Sequence, residues 1–372
     1  MRFGFLSTYP PTRCGLATFT QSLAVAMTRS PSALPVVVRV LDAGESPDSA
    51  DDPGVPIAAT LRAGDTGSHA AAARVLNRCD AVIVQHEYGI YGGVDGAEVL
   101  AVLDALRVPV ITVLHTLLHQ PSPGQRRVLE RVVASSAAAV VMTERARETL
   151  LTHFRVDGAK VYVIPHGAAV LPRHSVHRRG PSAVILTWGL IAPGKGLERG
   201  LRAFRALRER GLDASYVIAG QTHPKVLAHS GEAYRDSLLD LARDLGVEAS
   251  VRFINEYLSP EDLAVLLGAA DVVLLPYDSR EQATSGVLAE AVAAGVPVVA
   301  TAFPHAVETL HGPAGVAVPH DDLHAMAAGI ERMLRLGDDC RASRRDGSGP
   351  TWAEVADRYF ELAERLRAER AA

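Results

Sequence analysis

The sequence predicts an α/β protein made of two open parallel sheets, one in each of two domains. Three observations predict it. Short, β-branched apolar runs alternate with longer amphipathic segments along the chain, the pattern of parallel strands joined by helical crossovers. That alternation is interrupted at residues 171–182, where two prolines, five basic or histidine side chains and a glycine carry no apolar periodicity, and it then starts again. Finally, 372 residues exceed the length at which one hydrophobic core usually stops growing.

In the first half, strands are expected at 2–7, 36–41, 81–85, 110–114, 138–142 and 161–165, with helices such as 15–27, 94–106 and 123–134 between them. Residues 42–65, acidic and rich in Ala, Gly and Pro, read as an exposed excursion with a weak strand inside it and no chemistry. The pattern restarts with strands at 183–188, 214–219, 251–253, 271–275 and 297–300. The domains are therefore 1–172 and 173–350. A last amphipathic helix at 352–368 follows a polar break at 346–350, so the tail 351–372 could reach back to the first domain.

Composition excludes several classes. Hydrophobic residues make up 48% and charged residues 22%, too apolar for a disordered chain. The net charge is −4 and the basic residues are scattered apart from short clusters at Arg126 and Arg127, Arg178 and Arg179, and Arg344 and Arg345, so no nucleic-acid footprint is expected. Cys14, Cys79 and Cys340 are far apart, fit no zinc spacing and suit a reducing compartment, each read as a small buried apolar residue. The run from Met1 to Leu6 is too short for a secretory signal, and no stretch of about 18 apolar residues is uninterrupted. A cytoplasmic location is expected, with peripheral membrane contact left open.

In open parallel sheets, ligands gather at the carboxyl ends of strands, where loops and helix N-termini present unpaired amides. The densest candidate lies at 271–301, which reads as strand, polar loop, helix, glycine stop, proline, strand. Its small residues Thr284, Ser285 and Gly286 would let amides at the helix start approach a phosphate. Glu290, about one turn into that helix, could accept two hydrogen bonds from a ribose diol. This stretch resembles the Glu-x7-Glu signature of retaining glycosyltransferases of family 4. Their GT-B fold sets two Rossmann-like domains with parallel sheets facing a central cleft. Glu290 takes the second position; Gln282 takes the first, with Glu281 just before it, and Thr284 and Ser285 replace the family's Phe-Gly pair. The resemblance implies that Gln282, or Glu281 after a one-residue loop shift, contacts hydroxyls of the donor sugar.

A second element, Gly189-Leu-Ile-Ala-Pro-Gly-Lys195-Gly196, is a glycine-rich strand-to-helix turn whose lysine supplies a compact positive charge for a departing diphosphate. It resembles the family's Gly-Arg-Leu-x-x-x-Lys-Gly element, with Leu190 in place of the arginine and Arg280 as the candidate substitute cation. Gly15, opening the first helix, resembles the family's glycine-rich first loop near the donor phosphates and the acceptor. His115, ending a buried strand, resembles the strand-end histidine that contacts the donor sugar, and Tyr257 lies in a segment resembling the one that packs on the nucleobase. The loop after 82–85 carries Glu87, Tyr88 and Tyr91 and reads as an acceptor pocket. The 163–167 element is assigned structure rather than chemistry. The chain has no Asp-x-Asp triplet, and His305, His311, His320 and His324 show no ligand spacing, so no metal is expected.

The resemblance implies transfer of a glycosyl unit, a hexosyl unit in the first instance, from a nucleoside diphosphate sugar with retention at the anomeric carbon. Attack would come from the front face, with no separate cofactor. Lys195, Gln282 and His115 form the expected catalytic set. Two rivals share the fold: a phosphorylase-like or epimerase-like enzyme, against which the lack of a pyridoxal-phosphate lysine environment counts, and a non-catalytic sugar-nucleotide or glycan binder.

Overall fold

A computed structural model of the protein describes residues 1–42, 54–169, 182–343 and 349–371. The chain divides into two compact units, Met1–Gly167 with Pro350–Ala372, and Ala168–Gly349. Of the expected connection at 171–182, only Ser182 is among the described residues.

The first unit is built from strands β1 (Arg2–Ser7), β2 (Leu34–Leu41), β3 (Ile57–Arg62), β4 (Ala81–His86), β5 (Val110–Leu114), β6 (Ala138–Val141) and β7 (Val161–Val163). Helices α1 (Gly15–Met27), α2 (Thr66–Leu76), α3 (Val99–Ala105), α4 (Pro123–Ser135) and α5 (Glu144–His153) connect them. Every strand pair is parallel, in the order β3-β2-β1-β4-β5-β6-β7. Separate apolar clusters cover the two faces: Phe3, Phe5, Val37, Ile83 and Val113 on one, Leu6, Val38, Val82 and Val84 on the other. Burial on both sides explains why these strands are near-continuous apolar runs.

The second unit repeats the plan with β8 (Ala183–Trp188), β9 (Ala214–Ala219), β10 (Val251–Ile254), β11 (Val272–Leu275), β12 (Val298–Thr301) and β13 (Gly315–Val318), in the order β10-β9-β8-β11-β12-β13. Its helices are α6 (Leu197–Glu209), α7 (Pro224–Ser230), α8 (Ala233–Asp244), α9 (Pro260–Ala269), α10 (Gly286–Ala293), α11 (Pro304–Thr309) and α12 (Leu323–Ser343). In each sheet the strand order reverses once, between β1 and β4 and between β8 and β11. Such a switch point is where a doubly wound sheet opens a crevice at its carboxyl edge.

The final helix, α13 (Trp352–Ala371), belongs to the first unit. Val355, Tyr359, Leu362 and Leu366, spaced at helical intervals, join the cluster that holds Phe19 and Leu23 of α1.

Two elements differ from the sequence reading. Four-residue β13 lies beyond the last expected strand, its glycine-led Gly-Val-Ala-Val too short to announce itself. The helix expected at 94–106 is broken: Asp95 and Gly96 take φ of 57° and 75°, and only 99–105 is α-helical. A Cβ at Gly96 would stand 2.7 Å from the Tyr88 carbonyl, so the break fits this chain beneath the β4 loop. In the excursion after β2, residues 43–53 lie outside the described set, and the weak strand expected within it is β3, at the sheet edge.

Candidate functional site

At the carboxyl edge of the second sheet, β8 ends in Trp188 and the chain turns through Gly189, Leu190 and Lys195 before α6 begins. Gly196, the N-cap of α6, has φ of 63°, and a Cβ there would collide with the Pro276 carbonyl at the end of β11. That close approach ties the two loops of the switch point together, as does Asp278 N–H donating to Gly194 O at 3.0 Å. Half-buried Lys195 sets its ammonium 4.5 Å from the centre of the Tyr277 ring, which stacks on Phe303 at 5.3 Å. Trp188, Gly189, Leu190, Lys195 and Tyr277 line a small hollow here.

After β11 the polar loop feeds α10. Ser285 is the N-cap, its hydroxyl accepting from Leu288 N–H at 3.2 Å, while its own N–H donates to His305 Nδ1 at 2.9 Å. The amides of Gly286 and Val287 have no partner among the described residues. The Thr284 hydroxyl is buried and unpartnered, and Gln282 folds back, its amide donating to Thr284 O at 2.6 Å. Half-buried Glu290 takes a hydrogen bond from the Trp188 indole, and burial pushes its carboxyl up to about 7. Trp188, 7% exposed, can serve only as donor, so it fixes the Glu290 carboxylate from the β8 side.

Lys195 also has a neighbour that no motif signals. His223, N-cap of α7, is held below the ordinary imidazole range by burial first, then by Lys225 and Lys195 nearby. Arg280, the expected substitute cation, is instead paired with Asp321, which also meets Arg199 at 3.3 Å. Tyr257 lies in the loop after edge strand β10, 46% exposed. Glu281 N–H donates to the Ser279 hydroxyl at 3.3 Å.

In the first unit, Cys14 is half-buried rather than a core residue. Its sulfur accepts from Ala17 N–H at 3.4 Å as the N-cap of α1, and no atom would crowd a Cβ at Gly15. His115 shares a 2.6 Å hydrogen bond with Gln85 and meets the edge of Phe19 at 4.9 Å. Burial, with His166 and His86 adding to it, lowers His115 to about 3, so the ring is neutral. Glu87 has one oxygen on Tyr88 N–H at 2.9 Å and the other on the Thr116 hydroxyl. The Tyr88 hydroxyl is buried and unpartnered. Tyr91 corrects the acceptor-pocket reading: 4% exposed, its hydroxyl donates to Gln85 O at 2.8 Å and Leu6 O at 3.2 Å, so it is a strut beneath the loop.

Residues 15–170 match the model of Glycosyltransferase Family 4, and residues 182–336 that of Glycosyl transferases group 1. A D-inositol 3-phosphate glycosyltransferase of Kineococcus radiotolerans is 30% identical over 310 residues, covering 72% of this chain and 69% of that protein. The chain belongs to glycosyltransferase family 4. A namesake from Corynebacterium kroppenstedtii is 29% identical over 282 residues, 69% of this chain and only 60% of that protein. Among solved structures, sucrose-phosphate synthase from Thermosynechococcus elongatus superposes with a TM-score of 0.74 at 16% identity, covering 99% of this chain and 100% of that one. Anabaena HepE in complex with UDP and glucose gives 0.71 at 15% identity, covering 98% and 99%. Both units are thus Rossmann-like domains of the GT-B type.

Within this family 4 chain, the structure brings Gly189, Lys195, Gln282, Thr284, Ser285, Gly286 and Glu290 to the loops at one switch point; Gly189 approaches Val287 of α10, where a Cβ would lie 3.7 Å from that side chain. Arg280 is turned away from this group, towards Asp321. Sequence reasoning missed Trp188, His223 and His305, each of which acts on a neighbour rather than through a motif position. His305 shows no metal-ligand spacing, and its signal is another: a histidine one residue after a helix-opening proline, following a strand end.

Proposed function

We propose that this chain transfers a glycosyl unit from a nucleoside diphosphate sugar to a hydroxyl acceptor with retention of configuration, without a metal ion. The observation that carries the reading is the second unit's switch point. Two open amides at the start of α10, a half-buried lysine on Tyr277 and a carboxylate one turn along α10 stand on loops tied to one another. Helix amides and Lys195 suit a diphosphate, and Glu290 suits the ribose diol. In the transition state, charge grows on the leaving diphosphate, where Lys195 supplies the positive charge and the nearby His223 ring, its Nδ1 taken by Lys225 N–H, a hydrogen-bond donor. Gln282 has its carbonyl oxygen available to a sugar hydroxyl. In the first unit, His115, held neutral, is suited to hydrogen bonding a sugar hydroxyl rather than to carrying charge, and Glu87 and Tyr88 suit an acceptor hydroxyl.

Thermal-shift screening against UDP-, GDP- and ADP-sugars tests the donor, since a ligand at about a hundredfold its Kd stabilises by ~2.7 kcal/mol. D-inositol 3-phosphate, named by the relatives, heads the acceptors to supply. Product anomers by NMR and turnover in excess chelator complete the test. A nucleotide sugar that binds but is neither transferred nor hydrolysed would make the chain a binder.

A further inference from the structure

We propose that Arg39 anchors an anion subsite in the first unit, taking the phosphate or carboxylate group of an acidic acceptor; that the ligand is an acceptor rests on the glycosyltransferase reading. Arg39 stands near the carboxyl end of β2, an interior strand whose two faces are both covered, and is only 5% exposed. A guanidinium cannot shed its proton to escape burial, so a buried arginine needs a counter-charge or acceptors. Arg235 meets that need: equally buried, it donates to Gly220 O at 2.6 Å and pairs with Glu232 at 3.3 Å. Arg39 makes no hydrogen bond or ion pair among the described residues, and its Nε is sealed from solvent without a partner.

The described residues in register with Arg39 offer hydroxyls and an amide rather than a carboxylate. In register beside it are Ser7 of β1, fully buried with its hydroxyl 2.9 Å from that of Thr20, and Thr60 of edge strand β3. One strand beyond Ser7, on the same face, is Gln85 of β4. It is also fully buried; one end of its amide bonds to His115 and Nε2 has no partner. β2 and β4 flank β1, roughly 10 Å apart between backbones. An acid group on Arg39 and Ser7, with hydroxyls of the same molecule on Gln85 and His115, would satisfy the row. The cations and amides suited to the donor diphosphate lie in the other unit, so this anion is a separate one.

The test is titration of the full chain, by calorimetry, with myo-inositol, myo-inositol 1-phosphate and glucuronate, and with UDP as a control on the second unit. Wild type should bind at least one of the two acids about tenfold or more tighter than the neutral polyol. Arg39→Met should abolish that preference and leave UDP affinity unchanged, while Arg39→Lys should keep part of it. If wild type takes the neutral polyol as tightly as both acids, or binds none of them, the subsite is refuted even where the Met variant does not fold. Loss of the acid preference in Arg39→Met together with loss of UDP binding would also overturn it. Failure of wild type to bind any nucleotide would instead sink the glycosyltransferase reading.

Discussion

Glu290 is lifted to about 7 chiefly by burial, with the Trp188 indole opposing the shift by favouring the carboxylate. A ribose diol donates two hydrogen bonds most strongly to the ionised form, so binding should release the proton. Affinity for the correct nucleotide sugar, whose phosphates do not titrate near neutrality, should therefore rise as pH passes upward through about 7. Glu290→Gln should flatten that rise and weaken binding by roughly 1.5 to 3 kcal/mol at high pH, as calorimetry at pH steps would read. An equally steep pH profile in the variant removes Glu290 from the ribose. Lys195 carries the second prediction. Lys195→Ala should lower kcat by about 10² to 10³, and Lys195→Arg should recover only part, because a planar fork on the face of Tyr277 does not reproduce a point charge. A near wild-type kcat in the Ala variant would shift the role to another cation such as Lys225. Motif positions such as Lys195 and Glu290 were legible in the sequence because a strand-to-helix turn fixes where their neighbours go. Trp188 and His223 were not, since Glu290 and Lys195, which they meet, are some 30 to 100 residues distant and only the folded sheet edge brings them in.

Helix α10 is only eight residues long, so its N-terminus depends on what holds it. Ser285 caps from within and His305, on the next helix, takes the Ser285 N–H. His305→Phe keeps the ring volume but leaves that buried N–H unsatisfied, at a cost of about 1 to 3 kcal/mol. The variant should lower the urea midpoint of the second unit and weaken nucleotide binding; unchanged binding would mean that α10 holds its start without His305. Ser285→Ala should cost about 1 kcal/mol through the lost cap. Most elements could be read from sequence because parallel strands covered on both faces are long apolar runs. The failures have local causes. Residues 94–106 have the composition of a helix, but packing under the β4 loop forces positive φ at Asp95 and Gly96. Strand β13 pairs along only four residues with β12, too few to leave a pattern. Tyr91 looked like a loop ligand because sequence shows that a residue follows a strand and not which way its hydroxyl points.

The two compact units each contain one of the chain's two tryptophans, Trp352 in the first and Trp188 in the second, so each unit can report on itself. Trp352 lies against Phe19 at 4.9 Å and His166 at 5.1 Å, within the cluster that fastens α13 to α1. Burial holds His86 to about 4, His115 to about 3 and His166 to about 4, against 6.5 for a free imidazole. Folded-state values are thus depressed, and the unfolded chain takes up these protons first. The stability that depends on keeping the rings neutral is complete above about 6.5 and is lost as pH falls towards 4. Each ring contributes up to about 1.4 kcal/mol per pH unit over that window, so three give a slope of up to about 4. In the second unit, Glu290 acts the other way: its raised value favours the folded, protonated form as the solution is acidified. Urea unfolding of a Trp188→Phe protein, followed through Trp352, should therefore lose midpoint steeply between about pH 6.5 and 4.5, while a Trp352→Phe protein followed through Trp188 should change less. Replacing His86, 1% exposed and with Nδ1 unpartnered, by Phe should shallow the first unit's slope by about one proton's worth, roughly 1.4 kcal/mol per pH unit. Parallel acid profiles for the two reporters would show that the histidines at the first sheet's edge are not what makes that unit acid-sensitive.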